Sequence, residues 1–189
     1  MKYLLKSFGQ DYLLNSVSSL RGIGPKSSKI LSQASIECVL DLLLLLPRKY
    51  KRRDRWFELD KSLLPRAVTI EVSIEKYIYP KNRRSPFRIL AETYGSPLRI
   101  ILFSFNKSQL NNYYPLGQNV VISGDLTLDG STLTMIHPDY CVKPDQVFKI
   151  PQIEPIYPSI FGLGNKLLQK TVGNLINDFK ETAEWYPEK

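Results

Sequence analysis

The most informative chemistry in this sequence comes from two short runs of basic side chains. Residues 48–55 contain six Lys or Arg and one acid, and residues 81–88 contain four Lys or Arg and no acid. The chain carries a formal net charge of +8 from 26 basic and 18 acidic residues, so 16 basic and 17 acidic residues remain outside the two runs. Positive charge concentrated on an otherwise neutral body is typical of a protein that binds nucleic-acid phosphates. For either run alone, a solvated surface is an equally good interpretation.

The rest of the composition argues against several other kinds of site. The chain has one histidine, His137, and two cysteines, Cys38 and Cys141. A structural zinc site needs four such ligands and nucleophilic catalysis needs a base beside the nucleophile, so neither is expected. Two cysteines are too few for a disulfide framework, which predicts free thiols in a reducing cytoplasm. No apolar run reaches the roughly 18 residues of a membrane span, and residues 1–17 lack the apolar core of a signal peptide.

The elements that would position the basic runs form a predicted barrel over residues 65–142. The clearest of them are the alternating strand Val68–Ile74, the dense strand Leu98–Phe105, the short helix Lys107–Tyr113, and the strands Val120–Leu128 and Thr132–Ile136. Asp129-Gly130 between the last two strands is a strong signal for a two-residue hairpin turn. Five short strands with one helix after the third predict a Greek-key barrel of the OB type, a common nucleic-acid binding fold.

Helical segments flank the predicted barrel, so the expected fold class is α+β. Residues 1–64 are assigned to an N-terminal helical segment, and residues 143–189 to a linker and a final helix. The proline-rich residues 144–158 are expected to lie over the barrel, and the apolar spacing from Leu168 to Phe179 predicts the helix. No second core follows for this helix to close, so we expect the sequence to be a fragment of a longer chain.

A glycine-rich turn stands near the start of the chain, from Leu20 to Lys26. Its Gly-x-Gly pattern is followed by Pro25, which suits the first turn of a helix. The segment resembles the hairpin of a helix-hairpin-helix motif, whose backbone amides can hold a DNA phosphate while Lys26 adds charge. A tight turn between two packed helices is the alternative. It is not an ATP-binding loop, because Ser19 stands where that motif needs its first glycine.

A leucine-rich helix is predicted from Ile36 to Leu46. Ser35 would cap this helix, and Pro47 would end it. Five successive leucines at 42–46 are apolar all the way round, which favours burial on several sides. A leucine ridge that binds a partner is the alternative.

The second basic run lies in the predicted loop between the first two barrel strands. In OB folds this loop commonly frames the ligand groove. Tyr77, Tyr79 and Phe87 are interleaved with the basic residues, and charge combined with stacking surface favours single-stranded or splayed nucleic acid. Tyr77 could equally cover the end of the barrel.

Several segments taken together carry a family resemblance. They are Leu20–Lys26, Asp41–Pro47 with Tyr50 and Arg55, Phe105-Asn106, His137–Tyr140 and Ile156–Pro158. In order and spacing they resemble the N-terminal part of RecG, the bacterial branched-DNA helicase, over about residues 18–180. The resemblance implies a wedge domain: an OB barrel that splits the arms of a replication fork or Holliday junction in recombination and repair. It also implies a separate ATP- and Mg²⁺-dependent motor, whose motifs are absent here, so the fragment alone is expected to have neither cofactor nor catalytic activity.

The resemblance further implies which residues contact DNA. Phe105 and Asn106 match a Phe-Asn-x-x-Tyr segment whose aromatic stacks on exposed bases at the branch point. Gln109 stands at the tyrosine position, so a second platform is missing or comes from Tyr113 or the Tyr79 loop. By alternation Phe103 and Phe105 share a face, so both could lie in the core, and this remains the expectation for Phe103. Together with the basic runs, the predicted DNA-binding residues are Lys26, Arg48, Lys49, Arg52, Arg53, Arg55, Tyr79, Lys81, Arg83, Arg84, Arg88, Phe105 and Asn106.

The expected partner is branched DNA, in the form of forks and three- or four-way junctions, bound by a cytoplasmic monomer without membrane contact. A hypothesis from another class is a protein-interaction module. In that case the basic loops would dock the acidic tail of a single-strand DNA-binding protein.

Overall fold

A computed structural model describes residues 10–82, 85–104 and 107–179 of the chain. Its helices and strands, in chain order, are α1 Gln10–Leu13, α2 Pro25–Gln33, α3 Val39–Leu43, β1 Lys49–Arg52, β2 Asp54–Arg55, β3 Arg66–Ile78, β4 Phe87–Thr93, β5 Ser96–Leu102, α4 Lys107–Tyr113, β6 Asn119–Asp129, β7 Thr132–Ile136, β8 Tyr140–Val142, β9 Ile153–Ile156 and α5 Asn165–Phe179. Short 3₁₀ helices cover Val17–Ser19, Lys61–Leu63 and Pro144–Lys149.

The chain divides into two compact units. One combines the described parts of Met1–Tyr50 and Pro155–Lys189, and the other is Lys51–Glu154. This division differs from the three consecutive segments, 1–64, 65–142 and 143–189, that the sequence suggests. The reason is that the apolar face of α5 packs in one core with the first helices, although more than 100 residues separate them.

The larger unit is a closed five-stranded barrel. β3 pairs antiparallel with β4, β4 with β5, and β6 with β7, whereas β5 and β7 run parallel. An antiparallel pairing of β3 with β6 closes the barrel. α4 follows the third barrel strand, with the bounds that the sequence predicts. The α+β class and the OB-type barrel are therefore confirmed.

The barrel core is filled by alternate residues of all five strands. Its fully buried large side chains are Phe87, Ile70, Ile74, Ile89, Leu98, Ile100, Ile122, Leu126, Leu133 and Met135. On β3 the alternation changes at a β-bulge between Ile74 and Lys76. After the bulge Tyr77 packs against the core and Ile78 faces outward, so the bulge sets which side chains the barrel presents at this end.

β5 ends earlier than the sequence predicts. The strand stops at Leu102, which is buried, and the next residue, Phe103, is 66% exposed. The expectation that Phe103 belongs to the core is therefore wrong. Inward-facing positions on β5 are the even-numbered ones, so Phe103 has outward parity even before the chain leaves the sheet.

The smaller unit has its own apolar core of helical segments. Its buried members are Val17, Leu20, Ile23, Leu31, Ile36, Val39, Leu42, Tyr157, Leu168, Val172 and Leu175. Tyr157 was expected to cover the barrel but belongs to this core. Within residues 144–158, Ile150 is buried, whereas Ile153 is exposed.

The turn before α2 is repeated before α5. Gly22 has a φ of +94° and Gly162 a φ of +85°, and each is followed by an apolar residue that packs into the core. In both turns a second glycine then precedes the helix. A Cβ atom added to Gly162 would lie 3.1 Å from Cδ1 of Ile30. This repeat was not predicted, although Gly-Ile-Gly and Gly-Leu-Gly are visible in the sequence.

The leucine-rich helix is shorter than predicted. Ser35 does not cap it, because this residue adopts a φ of 60° and α3 begins at Val39 after Cys38. Asp41 Oδ2 accepts hydrogen bonds from the backbone N–H groups of Glu37 (2.9 Å) and Cys38 (3.0 Å), which lower the pKa of this carboxyl. Of residues 42–46 only Leu42 is fully buried, and Leu44 and Leu46 are exposed, so burial of all five leucines is wrong.

Candidate nucleic-acid interface

The first basic run contains one arginine that is turned into the protein. The side chain of Arg53 is 1% exposed and forms an ion pair with Glu154, which is also buried. Its Nη1 donates to Asp139 at 2.8 Å, and its guanidinium lies 5.0 Å from the ring centroid of Tyr140. A phosphate has no access to a guanidinium held in this way. The prediction that Arg53 contacts DNA is therefore wrong.

Asp139 joins Arg53 to a second basic residue, Lys51. Lys51 Nζ donates to Asp139 at 2.9 Å and to Asp125 at 3.0 Å. Burial acts to raise the pKa of Asp139, but the hydrogen bonds and charges of Lys51 and Arg53 outweigh it and hold that pKa below its ordinary value. Two of the six cations in residues 48–55 thus serve the internal structure of the barrel unit.

The His137–Tyr140 segment supplies two of the partners of Arg53, Asp139 and Tyr140. Tyr140 Oη donates to Glu154 Oε1 at 3.2 Å, and burial together with the nearby Glu154 charge raises the pKa of Tyr140 to about 12. The backbone N–H of His137 donates to the carbonyl of Ile101 at 2.9 Å. The family-like segment therefore ties the end of β7 to β5 and to the Arg53 ion pairs.

The other cations of the first run lie at the surface. Arg48, Lys49, Arg52 and Arg55 are all exposed. Arg52 Nε donates to Asp54 at 3.1 Å, while the Arg55 guanidinium lies 5.1 Å from the ring centroid of the exposed Phe57. A surface ion pair of this kind contributes little, so Arg52 can exchange its partner for a phosphate at small cost.

The second basic run and the aromatic residues interleaved with it are only partly exposed. Lys81 and Arg88 are exposed, and Arg83 and Arg84 lie outside the described residues. Among the interleaved aromatics, Phe87 is buried, and Tyr77 packs against the core with its hydroxyl donating to the carbonyl of Tyr114. The expectation that Phe87 offers stacking surface is therefore wrong. Tyr79 is 56% exposed, and its ring contacts Phe87 edge-on with 5.2 Å between centroids.

A row of outward-facing side chains crosses four strands of the barrel. Ile78 of β3 lies opposite Arg88, Arg88 opposite Ile101 of β5, and Ile101 opposite Ile136 of β7. We call Ile78, Arg88, Ile101 and Ile136 the outer row. It places one cation among apolar side chains on the strand-two and strand-three face that OB folds use for oligonucleotides. The sequence did not predict this row, because the bulge on β3 had to be known to place Ile78 outside.

A second row lies beside the outer row and adds two cations. Lys76 is opposite Leu90, and Leu90 is opposite Arg99. Lys76 is exposed, and Arg99 Nη1 forms a 3.4 Å ion pair with Asp129, whose side chain is itself largely exposed. Together with Arg88, these residues place three cations on this part of the outer face, one of which, Arg99, is paired with Asp129.

The residues that the family resemblance singles out lie within or beside a gap in the described part of the chain. Phe105 and Asn106 lie outside the described residues, and no side chain is described for Gln109. On either side of them, Phe103 and Tyr113 are exposed, whereas Leu110 is buried. Lys26 is exposed in the first turn of α2, where Gly24 is the N-cap residue.

Metal-ligand groups and membrane-spanning helices are two other kinds of feature to look for among the described residues. Among them, no group of three or more His, Cys, Asp or Glu side chains could hold a metal ion. No helix within the described part of the chain is long and apolar enough to cross a membrane.

Sequence comparison with known protein families assigns this chain to one of them. The sequence model of the RecG wedge domain matches residues 16–179. The chain belongs to the RecG wedge domain family. The RecG resemblance noted in the sequence is thus confirmed, and the match covers helical segments and barrel alike.

Similarity to individual RecG proteins is moderate in identity and broad in coverage. The chain is 27% identical over 164 residues to ATP-dependent DNA helicase RecG of Escherichia coli strain K12, which covers 84% of this chain and 23% of that protein. It is 26% identical over 186 residues to RecG of Thermotoga maritima, covering 95% of this chain and 24% of that one. The chain therefore spans about a quarter of the length of the curated relatives it matches.

A solved structure of RecG bound to a three-way DNA junction has the same fold. It superimposes with a TM-score of 0.71 at 24% sequence identity, covering 100% of this chain and 26% of that chain. At this level of identity the likeness establishes the fold of the RecG wedge region for this chain.

Proposed function

We propose that this chain is the DNA-binding wedge of an ATP-dependent helicase that acts on branched DNA, such as replication forks and Holliday junctions, in recombination and repair. Family membership supports this proposal, as does the three-way junction bound to the RecG structure of the same fold. The single observation that carries it is the outer face of the barrel, where Lys76, Arg88 and Arg99 stand among apolar side chains.

The exposed cations would supply the sequence-independent part of the affinity. Each side chain that neutralises a phosphate releases condensed counterions, so binding falls steeply with salt. Arg88 and Lys81 of the second run, and Arg52 and Arg55 of the first, are exposed and suited to this role. Lys26, Arg48 and Lys49 are exposed in the helical unit and would add contacts there.

The preference for branches would come from stacking. Phe105, with Asn106 beside it, would replace the stacking that an unpaired base loses at a branch point, worth roughly 1–3 kcal/mol per base. Because Gln109 stands where the family pattern has tyrosine, we assign the main contact of this segment to Phe105 alone.

The experiment compares charge and ring variants on a three-way junction and on duplex DNA of equal length. Arg88→Gln should weaken binding to both and lower the salt slope by about one, as expected for one lost phosphate contact. Phe105→Ala should lower the preference for the junction and leave the slope nearly unchanged. Lys149→Gln is the matched control, since Lys149 is exposed on the 3₁₀ helix Pro144–Lys149 and Nζ donates to Gln146. An unchanged junction preference in Phe105→Ala would refute the stacking role.

The motor chemistry belongs to sequence outside this chain in our proposal. ATP and Mg²⁺ would act in the three quarters of the RecG relatives that the chain does not match. We also propose that the chain works as a monomer in the cytoplasm. Docking of the acidic tail of a single-strand DNA-binding protein is tested by titrating a tail peptide into the junction complex. Tight peptide binding without any dependence on DNA structure would favour the interaction-module hypothesis instead.

A further inference from the structure

An exposed aromatic ring stands at the end of β5. Phe103 follows directly after the buried Leu102, and about two thirds of the residue remains accessible to solvent. In the register of β5 and β7, Ile101 and Ile136 lie opposite each other on the outer face. Phe103 has the same outward parity as Ile101, and it contacts His137, the residue that directly follows Ile136 of the outer row.

One residue, His137, holds both the backbone and the ring of Phe103. The backbone N–H of Phe103 donates to Nε2 of His137 at 2.8 Å. The two rings stack with 5.8 Å between centroids and 30° between planes. A hydrogen bond and a stacked neighbour together restrict the motion of the ring, which is therefore ordered before any ligand binds.

His137 is itself fixed by the strands on which it sits. Its backbone N–H donates to the carbonyl of Ile101 at 2.9 Å, and its φ of 45° is in the left-handed region that few residues adopt. Backbone of this kind persists where surrounding contacts impose it, and it is concentrated at binding sites. Here the unusual conformation turns the imidazole toward the end of β5.

The surroundings of Phe103 fit a nucleobase better than a phosphate or an acidic peptide. Ile101 and Ile136 provide apolar surface, and Arg88 lies opposite Ile101 in the same row. A largely exposed aromatic ring with apolar residues and one cation on the same face is the combination that stacks a base while neutralising the adjacent phosphate. A purely anionic ligand would use the arginine but would gain nothing from the ring.

We propose that Phe103 is a base-stacking platform of the barrel and that His137 is the positioning residue that presents its ring to an unpaired nucleobase at a DNA branch. This inference rests on the proposed function. It adds a platform at the strand end, next to the segment in which Gln109 takes the place of the tyrosine.

The test places 2-aminopurine at each nucleotide of the branch in a three-way junction and records its fluorescence with the 189-residue chain. A base stacked on the ring should stay quenched, and Phe103→Leu should raise its fluorescence at one or more positions. The same variant should bind the junction about 5- to 150-fold more weakly, and duplex with unchanged affinity and salt slope. Because Phe103 is exposed, the leucine should leave thermal unfolding unchanged.

Two further variants test His137, and one controls for exposed aromatic rings in general. His137→Gln keeps a side-chain oxygen that can accept the Phe103 N–H, and His137→Leu does not, while both place an ordinary residue at the same φ. We expect Gln to retain more quenching and affinity than Leu. Phe161→Leu, at a fully exposed phenylalanine in the helical unit, should behave as wild type.

The outcomes separate this inference from the function on which it rests. If wild type prefers the junction and Phe103→Leu keeps both quenching and affinity, the platform is refuted and the proposed function stands. If His137→Leu matches wild type while Phe103→Leu does not, the positioning role is refuted. If wild type does not distinguish junction from duplex, the proposed function fails and the platform fails with it.

Discussion

At the residue scale, burial divides side chains that the sequence places side by side. Arg52 and Arg53 are neighbours in one basic run, but Arg52 is exposed and Arg53 is buried against Glu154 and Asp139. A buried cation is stable only when it is paired, so Arg53 is bound to its own carboxylates before any phosphate arrives. Net charge in a run therefore overstates the charge that is available to a ligand.

Removal of the Arg53 side chain should destabilise the barrel unit strongly. Arg53→Ala leaves Glu154 buried without its cation, and breaking such a pair typically costs about 3–5 kcal/mol in free energy of unfolding. Urea denaturation measures this loss. Arg52→Ala is the matched control, and we expect it to stay within about 0.5 kcal/mol of wild type because its ion pair is exposed. Equal effects of the two substitutions would contradict the assignment of Arg53 to the interior.

Asp139 should make stability depend on acid pH. Its folded pKa lies below the ordinary value of 3.8, because Lys51 and Arg53 outweigh the effect of burial. The carboxylate therefore contributes stability above pH 3.8, and this contribution is lost as the pH falls through the lower folded value. Asp139→Asn should be less stable at pH 7 and should lose less stability on acidification. Parallel stability curves of the two proteins between pH 6 and pH 2 would contradict the ion pairs.

At the element scale, two glycine turns set the entry to two helices. Gly22 and Gly162 adopt left-handed backbone before α2 and α5, and an apolar residue after each inserts into the shared helical core. Only glycine takes this conformation without strain. The repeated turn therefore fixes where each helix starts and which face it presents to the core.

The two kinds of glycine in this unit should respond to alanine with opposite signs. Gly162→Ala puts a Cβ at a φ of +85° and 3.1 Å from Ile30, so we expect a loss of about 1 kcal/mol or more in free energy of unfolding. Gly173→Ala lies within α5 with nothing within 4 Å of the new Cβ, and should gain about 0.5–1 kcal/mol. Thermal unfolding of both variants measures the difference. Stabilisation by both substitutions would show that the turn before α5 is not held left-handed.

Some features of the strands could be predicted from the sequence, and others could not. Alternation and Asp129-Gly130 were enough to predict the OB barrel, because a half-buried strand must repeat every two residues. The bulge after Ile74 was not visible, since it moves side chains between faces without changing which residue types occur. The outer row depends on that bulge, and for this reason the strand face of the candidate site was missed.

At the scale of the whole molecule, the features that could not be predicted are those that depend on contacts between residues distant in sequence. The apolar stripe of α5 could be recognised in the sequence as one face of a helix. A stripe does not show which element it packs against, and in the structure α5 shares a core with the first helices. The carboxylates that pair with Arg53 could not be predicted for the same reason, because Glu154 lies about 100 residues further along the chain. The family match, by contrast, rests on segments spread over residues 16–179 and could be recognised without any of these contacts.

The central claim is that this chain recognises a branch in DNA, and one measurement tests it most directly. The affinity of the unmodified chain for a three-way junction is compared with its affinity for duplex of the same length at the same salt concentration. Stacking of even one base predicts a junction preference of about 5- to 150-fold. Equal affinity for the two DNAs would contradict the account, because phosphate contacts alone do not distinguish a branch from a duplex.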